Sequence, residues 1–373
     1  MEFRDLKKQY QLHKSEMDAA IQDVLEHTDF INGREVRLLE EELAEYAGVK
    51  HCITCANGTD AMQLALMTWN IGKGDAVFVP DFTFFSSGEV VPLVGATPIF
   101  VDIEESTFNI SPDSLDQAIQ YVMEKTDLTP RVVIAVDLFG QPADYVQIRQ
   151  IADKYNLLIL EDAAQGFGGK IEDKRACSFG DISATSFFPA KPLGCYGDGG
   201  AVFTDQDEWA ELLQSYRMHG KGMDKYDNVR IGMNSRLDTL QAAVLVKKLT
   251  FFDNELEMCN QIADEYARNL KDIIKVPKIK SGMYSSWAQY TVCFQNNDKR
   301  EQAVKILKES GIPSAVYYRK PMHRQKAFKE NDYGGLNYSV TEKVCSCCLS
   351  LPMHPYMEKK DIAYIARNIM QVQ

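Results

Sequence analysis

Short runs rich in β-branched and aromatic residues recur through the first 205 positions, at 76–79, 98–102, 132–137, 157–161, 184–188 and 201–204. Several are apolar at every position rather than at alternate ones, which predicts strands covered on both faces. Stretches able to form helices, such as 60–69 and 114–125, separate most of them. That alternation predicts a largely parallel sheet wrapped by helices. From about residue 238 to 267 the period changes, with Leu240, Ala243, Leu245 and Leu249 at mixed three- and four-residue spacings, and one long helix is expected. Beyond it, 287–294 and 315–318 read as strands, 299–310 and 359–370 as helices. The pattern therefore predicts an α/β architecture: a large domain over 1–250, the long helix as a bridge, and a small α+β domain over 251–373.

Composition narrows the partners. A length of 373 residues with 45% hydrophobic content suffices for two buried cores. The net charge of -12 argues against a broad nucleic-acid-binding face, which needs many cations against phosphates. No uninterrupted apolar run of about 18 residues is present, and the charged start predicts neither a membrane span nor a signal peptide, so a cytoplasmic protein is expected. Nine cysteines, an odd number, read as reduced thiols. Cys345, Cys347 and Cys348 cluster, and Cys52 and Cys55 form a Cys-x-x-Cys, but no second ligand couple stands at zinc-site spacing, so no metal is predicted.

Three local signals carry chemistry. The run from Thr185 to Gly200 ends a strand in a lysine, Lys191, and continues through Gly194, Gly197, Gly199 and Gly200 into the next strand. A lysine in a turn between buried strands can reach into a cleft, where desolvation makes it a nucleophile able to form a Schiff base; a solvated loop lysine is the bland alternative. Asp162 follows the apolar run 157–160, at the strand end where open α/β sheets bind ligands. It could hold a protonated ring nitrogen, or simply cap the next helix. Gly58 and Thr59 open a helix, where backbone amides can cradle a phosphate or do no more than begin the helix. A Gly-x-Gly-x-x-Gly turn, which a dinucleotide-binding oxidoreductase needs, does not open the chain.

With these residues in view, the chain resembles the DegT family of sugar aminotransferases, nearly end to end. The likeness is carried by 30–36, 57–61, 161–165, 186–200, 234–243 and 351–355. Within the family, 186–200 and 234–243 are most similar to the WbpE type, which forms the 3-amino group of a UDP-linked 2-acetamido-2-deoxy-glucuronic acid from its 3-keto form, with glutamate as donor. The resemblance implies a fold-type-I pyridoxal-phosphate (PLP) enzyme, with a large, mostly parallel seven-stranded sheet domain and a homodimer with shared active sites. By position it implies Lys191 as the Schiff-base lysine and Asp162 as partner of the pyridinium nitrogen. Gln165 would lie near the phenolic oxygen, Phe84 over the ring, and Gly58, Thr59 and Ser186 at the phosphate. Asn234 would reach the phosphate of the neighbouring subunit, with Arg236 beside it. Arg236, Tyr317, Tyr318 and His323 are the candidate sugar contacts. Tyr317-Tyr318 departs from the His-Tyr pair usual in relatives, which leaves the sugar less defined than the reaction. Amination of a 4-keto deoxysugar, or a catalytically silent PLP-binding regulator, are the alternatives. Relatives that dehydrate sugars carry histidine in place of the lysine, and Lys191 speaks against that chemistry.

Overall fold

The structure, a computed structural model, describes residues 1–224, 226–331 and 335–372. Seven strands form the main sheet: β1 (His51–Cys55), β2 (Asp75–Pro80), β3 (Thr97–Val101), β4 (Thr129–Val136), β5 (Leu158–Asp162), β8 (Ile182–Ser186) and β9 (Gly200–Thr204). Between them, β6 (Lys170–Ile171) and β7 (Lys174–Arg175) pair with β10 (Met283–Tyr284) in a small sheet, and β11 (Tyr290–Cys293) pairs with β12 (Cys348–Leu351). The order in the main sheet is β1-β9-β8-β5-β4-β2-β3.

β3, β2, β4, β5 and β8 run parallel, while β9 is antiparallel to both β8 and β1. Two reversals restore direction, so β1 ends on the same edge as β8. The carboxyl ends of β1, β2, β4, β5 and β8 therefore open together, and Asp162 and Ser186 are the last residues of their strands. Parallel strands in such sheets bind ligands along this edge.

Burial on both faces accounts for the uninterrupted apolar runs. Val77 and Val79 of β2 lie in one core cluster with the helix Gly58–Thr68, and Ala76 and Phe78 lie in another with the helix Pro112–Lys125. The same alternation disposes of Cys52 and Cys55: three residues apart on a strand, they enter cores on opposite faces of the sheet. All nine cysteines are buried free thiols.

The long helix spans Thr239–Leu270, and residue 250 lies within it. Its first half packs in the core beneath β1 and β9, and Cys259, Ile262, Tyr266 and Leu270 join a C-terminal core with Tyr290, Leu351 and Ile365. One expectation fails. Residues 315–318 form no strand; only Ala315 pairs, with Ser350, and the chain then turns inward so that Tyr317 and Tyr318 pack against the main core. Strand propensity there reflects half-buried aromatics, not a ladder. No helix among the described residues is long and apolar enough to cross a membrane.

Candidate active site

Lys191 sits in the loop joining β8 to β9. Its amide donates to the Phe188 carbonyl at 2.8 Å, and the Cys195 amide donates to the Phe187 carbonyl at 2.8 Å, which closes the loop on itself. Gly194 is needed here, since a Cβ would stand 2.5 Å from the Pro189 carbonyl oxygen. Burial pushes the Lys191 amine below its ordinary pKa; the negative charge of Asp162 opposes this, and the positive charge of Arg4 adds to it.

Asp162 is buried at the end of β5. Its Oδ2 accepts from the Ser87 hydroxyl at 2.8 Å and its Oδ1 from the Ala164 amide at 3.1 Å, while Ser87 Oγ lies 3.0 Å from Thr83 Oγ1. Burial raises its pKa; Ser87, the Ala164 amide and the Lys191 charge pull it back only in part. The result is a carboxylate that gains from an added cationic donor. Adjacent Glu161 points to the opposite face of the sheet and serves the fold, its oxygens taken by the amides of Cys177, Phe179 and Gly180 and by the Ser183 hydroxyl.

A cup lies beside these two residues. The Asn57 side chain caps the helix Gly58–Thr68 by accepting from the Asp60 amide at 2.8 Å, and the Asn57 carbonyl accepts from the Ala61 amide at 3.1 Å. The amides of Gly58 and Thr59, ahead of these, belong to the first turn, whose N–H groups have no helical acceptor and suit an anion. A Cβ on Gly58 would stand 2.7 Å from Ser186 Cβ, and one on Gly200 would stand 2.5 Å from the Asn57 carbonyl. The glycines thus bring the helix start against the end of β8, with the Ser186 side chain at the rim.

Gln165 joins this group: its Oε1 accepts from the Phe139 amide at 2.8 Å and its Nε2 donates to the Tyr318 hydroxyl at 3.2 Å. Phe84, 55% exposed, has its ring centre 6.4 Å from that of Tyr318. Asn234 is exposed and Arg236 half-buried, and the residue between fastens them to the cup: Ser235 Oγ donates to Asp60 at 2.6 Å and accepts from the Ala56 amide at 3.0 Å. Tyr317 meets Phe3 edge-on at 6.3 Å.

His323 stands apart. Its amide donates to Asp81 Oδ1 at 2.8 Å, its Nδ1 lies 2.6 Å from Asp81 Oδ2, and its ring stacks on Tyr338. These bonds satisfy a fully buried carboxylate just after β2 and orient the ring through Nδ1. Three residues escaped the sequence reading: Ser87 and Thr83, which orient Asp162, and Arg4, which donates to the Lys191 carbonyl at 3.0 Å. No local signal marks them, since hydroxyls at and just before a helix start and an arginine near the first residue are ordinary.

The donor set fits PLP: an amine beside a buried carboxylate for a ring bearing an aldehyde and a basic nitrogen, and a glycine-lined helix start for a phosphate. Comparison with known proteins agrees. The DegT/DnrJ/EryC1/StrS aminotransferase family model matches residues 11–370. The chain is 44% identical over 368 residues to the UDP-2-acetamido-2-deoxy-3-oxo-D-glucuronate aminotransferase of Pseudomonas aeruginosa, covering 98% of each chain. Among solved structures it is similar to a DegT DnrJ EryC1 StrS aminotransferase from Brucella abortus, with a TM-score of 0.96, 48% identity, and 99% of this chain and 98% of that one covered. It also superposes on NtdA of Bacillus subtilis, solved with bound cofactor PMP, with a TM-score of 0.87, 28% identity, and 96% of this chain and 82% of that one covered.

Proposed function

Because the chain belongs to the DegT/DnrJ/EryC1/StrS aminotransferase family, whose members depend on PLP, we propose that it moves the amino group of glutamate onto a 3-keto UDP-sugar. The substrate on this reading is UDP-2-acetamido-2-deoxy-ribo-hex-3-uluronate, and the product a 3-amino sugar for surface polysaccharide. The observation that carries the reading is Lys191, its amine made less basic by burial, facing Asp162 across the carboxyl edge of the sheet. The identity of 44% to the Pseudomonas aeruginosa aminotransferase supports the choice of sugar.

When PLP is bound, its ring supplies an electron sink for the charge that develops at the donor's α-carbon. Lys191 would hold the cofactor and would serve as the acid/base at that carbon, a task for which an amine of lowered pKa is suited. Asp162 keeps a proton on the ring nitrogen, oriented by Ser87 and the Ala164 amide. Gly58, Thr59 and Ser186 would hold the phosphate, and Gln165 and Phe84 would meet the ring. Arg236, Tyr317 and Tyr318 contact the sugar. His323, its ring oriented through Nδ1 by Asp81, is the further candidate contact for the sugar. Asn234, exposed and fastened by Ser235, reaches the phosphate of a second copy, so the working unit is a homodimer.

The test offers the glutamate-loaded enzyme a 3-keto UDP-sugar and a 4-keto dTDP-sugar and follows the return of the aldehyde form by absorbance. Turnover of the 3-keto compound alone is expected, and Lys191→Ala should abolish it. A preference for the 4-keto sugar would replace the substrate, and turnover undiminished in Lys191→Ala would remove the lysine from the reaction.

A further inference from the structure

The turn that carries Lys191 is gripped from behind by the first residues of the chain. Arg4 Nη2 donates to the Lys191 carbonyl at 3.0 Å and to the Pro192 carbonyl at 3.4 Å. The residues on either side of Arg4 are themselves fastened. The Phe3 carbonyl accepts from the Met353 amide at 3.1 Å, the Phe3 ring meets Tyr317, and Asp5 caps the helix Leu6–Leu12 by accepting from the Lys8 amide at 2.8 Å. Glu255 faces the guanidinium and is held in turn by Gln9 at 2.8 Å and by the Tyr356 hydroxyl. Lys248, buried on the helix Thr239–Leu270, places a second cation near the same carboxylate, with its amine 4.5 Å from the centre of the Tyr196 ring. Two cations and one carboxylate therefore lie beneath the turn.

We propose that Arg4 is a positioning residue for the reaction: it fixes the backbone of the Lys191 turn through two successive carbonyls and ties that turn to the C-terminal segment at Met353. The proposal rests on the reading of Lys191 as the lysine that holds the cofactor. Both bonds leave from Nη2, whose two N–H directions are fixed by the guanidinium plane, and a lysine ammonium at the same place would keep the charge but not those fixed directions. Buried carbonyls that lose a charged donor are left poorly satisfied, and the turn would relax towards other partners. The charged groups facing the Lys191 amine are Asp162 from β5 and Arg4 from the N-terminal segment. Arg4 thereby acts twice, by hydrogen bond on the position of the lysine and by charge on its basicity.

The two actions separate in Arg4→Ala and Arg4→Lys. In cofactor-free protein, the pH dependence of Lys191 labelling by an amine-directed reagent, mapped by peptide mass spectrometry, reports the basicity of the amine. In Arg4→Ala the labelling midpoint should rise, because one of the influences that lower the amine's pKa is removed. In the loaded enzyme kcat should fall about tenfold, with KM for glutamate held within about threefold. Arg4→Lys should return the midpoint towards wild type while kcat stays low. An Arg4→Ala protein that keeps wild-type kcat overturns the proposal, as does one in which KM for glutamate rises in step with the loss of kcat or an Arg4→Lys protein that restores kcat; the midpoint reports the action by charge separately. Borohydride fixation of the cofactor in wild type is read separately: a label on a residue other than Lys191 defeats the reading of that lysine, independently of what the Arg4 variants do.

Discussion

At the scale of single residues the site rests on two groups made unstable by burial, each relieved by its neighbour or by the cofactor. Lys191 is pushed towards the neutral amine and Asp162 towards the neutral acid. For Asp162 the direction has a consequence for stability. A carboxyl whose pKa is raised on folding binds its proton more tightly in the folded protein, so its contribution to stability is full below the ordinary carboxylate range and is lost as pH rises through the raised value. In cofactor-free protein Asp162→Asn should therefore raise the thermal midpoint at pH 8, and the gain over wild type should shrink as pH is lowered towards 4. The same variant should lose about 10²-fold or more in kcat, because a neutral amide cannot hold the proton on the ring nitrogen. Calorimetry across pH and steady-state kinetics check the two halves; a variant less stable than wild type at pH 8 would show that the Ser87 and Ala164 bonds outweigh the burial of charge.

At the scale of elements, chemistry sits where a strand ends and a helix begins. The helix Gly58–Thr68 was legible as a helix-forming run behind Asn57-Gly58-Thr59, and the strand leading to Asp162 as an apolar run, because both are patterns within a few neighbouring positions. The cup they help to build was not, since it needs Gly58 against Ser186, a contact between segments distant in sequence. Gly58→Ala tests that closeness. The added methyl group, 2.7 Å from Ser186 Cβ, should cost about 1–3 kcal/mol in strain and part the two elements. Cofactor affinity, followed by fluorescence titration, is expected to weaken about tenfold or more; an unaltered dissociation constant would mean that the phosphate is held elsewhere. His323 shows the same limit: its sequence position did not reveal that the fold pairs its Nδ1 with Asp81.

At the scale of the whole molecule, one face asks for a second copy. Ile231 is 90% exposed, and Met223 and Val229 of the same segment are exposed as well. This segment is bridged to the main body where Met218 pairs with Asn234, and the exposed Ile31 pairs with Asp238 nearby. Apolar side chains gathered beside a candidate phosphate ligand suit an interface that completes the site. Sedimentation should find the wild-type protein as a dimer, and Ile231→Asp should shift it towards monomer with a matching loss of cofactor; a variant that stays dimeric with full cofactor would place the interface on another face.

The amino-acid sequence alone determined the alternating α/β class and the long helix, because strand and helix periods are written in adjacent positions, and it marked Lys191, Asp162 and Gly58 as candidates whose roles rest on the family resemblance. Only the tertiary structure decided what orients those residues. Ser87 reaches Asp162 over 75 positions and Arg4 reaches Lys191 over 187. Such pairings follow from strand order and packing, in which a hydroxyl or a guanidinium finds the buried acceptor that the fold brings to it, and no local pattern encodes which one that will be.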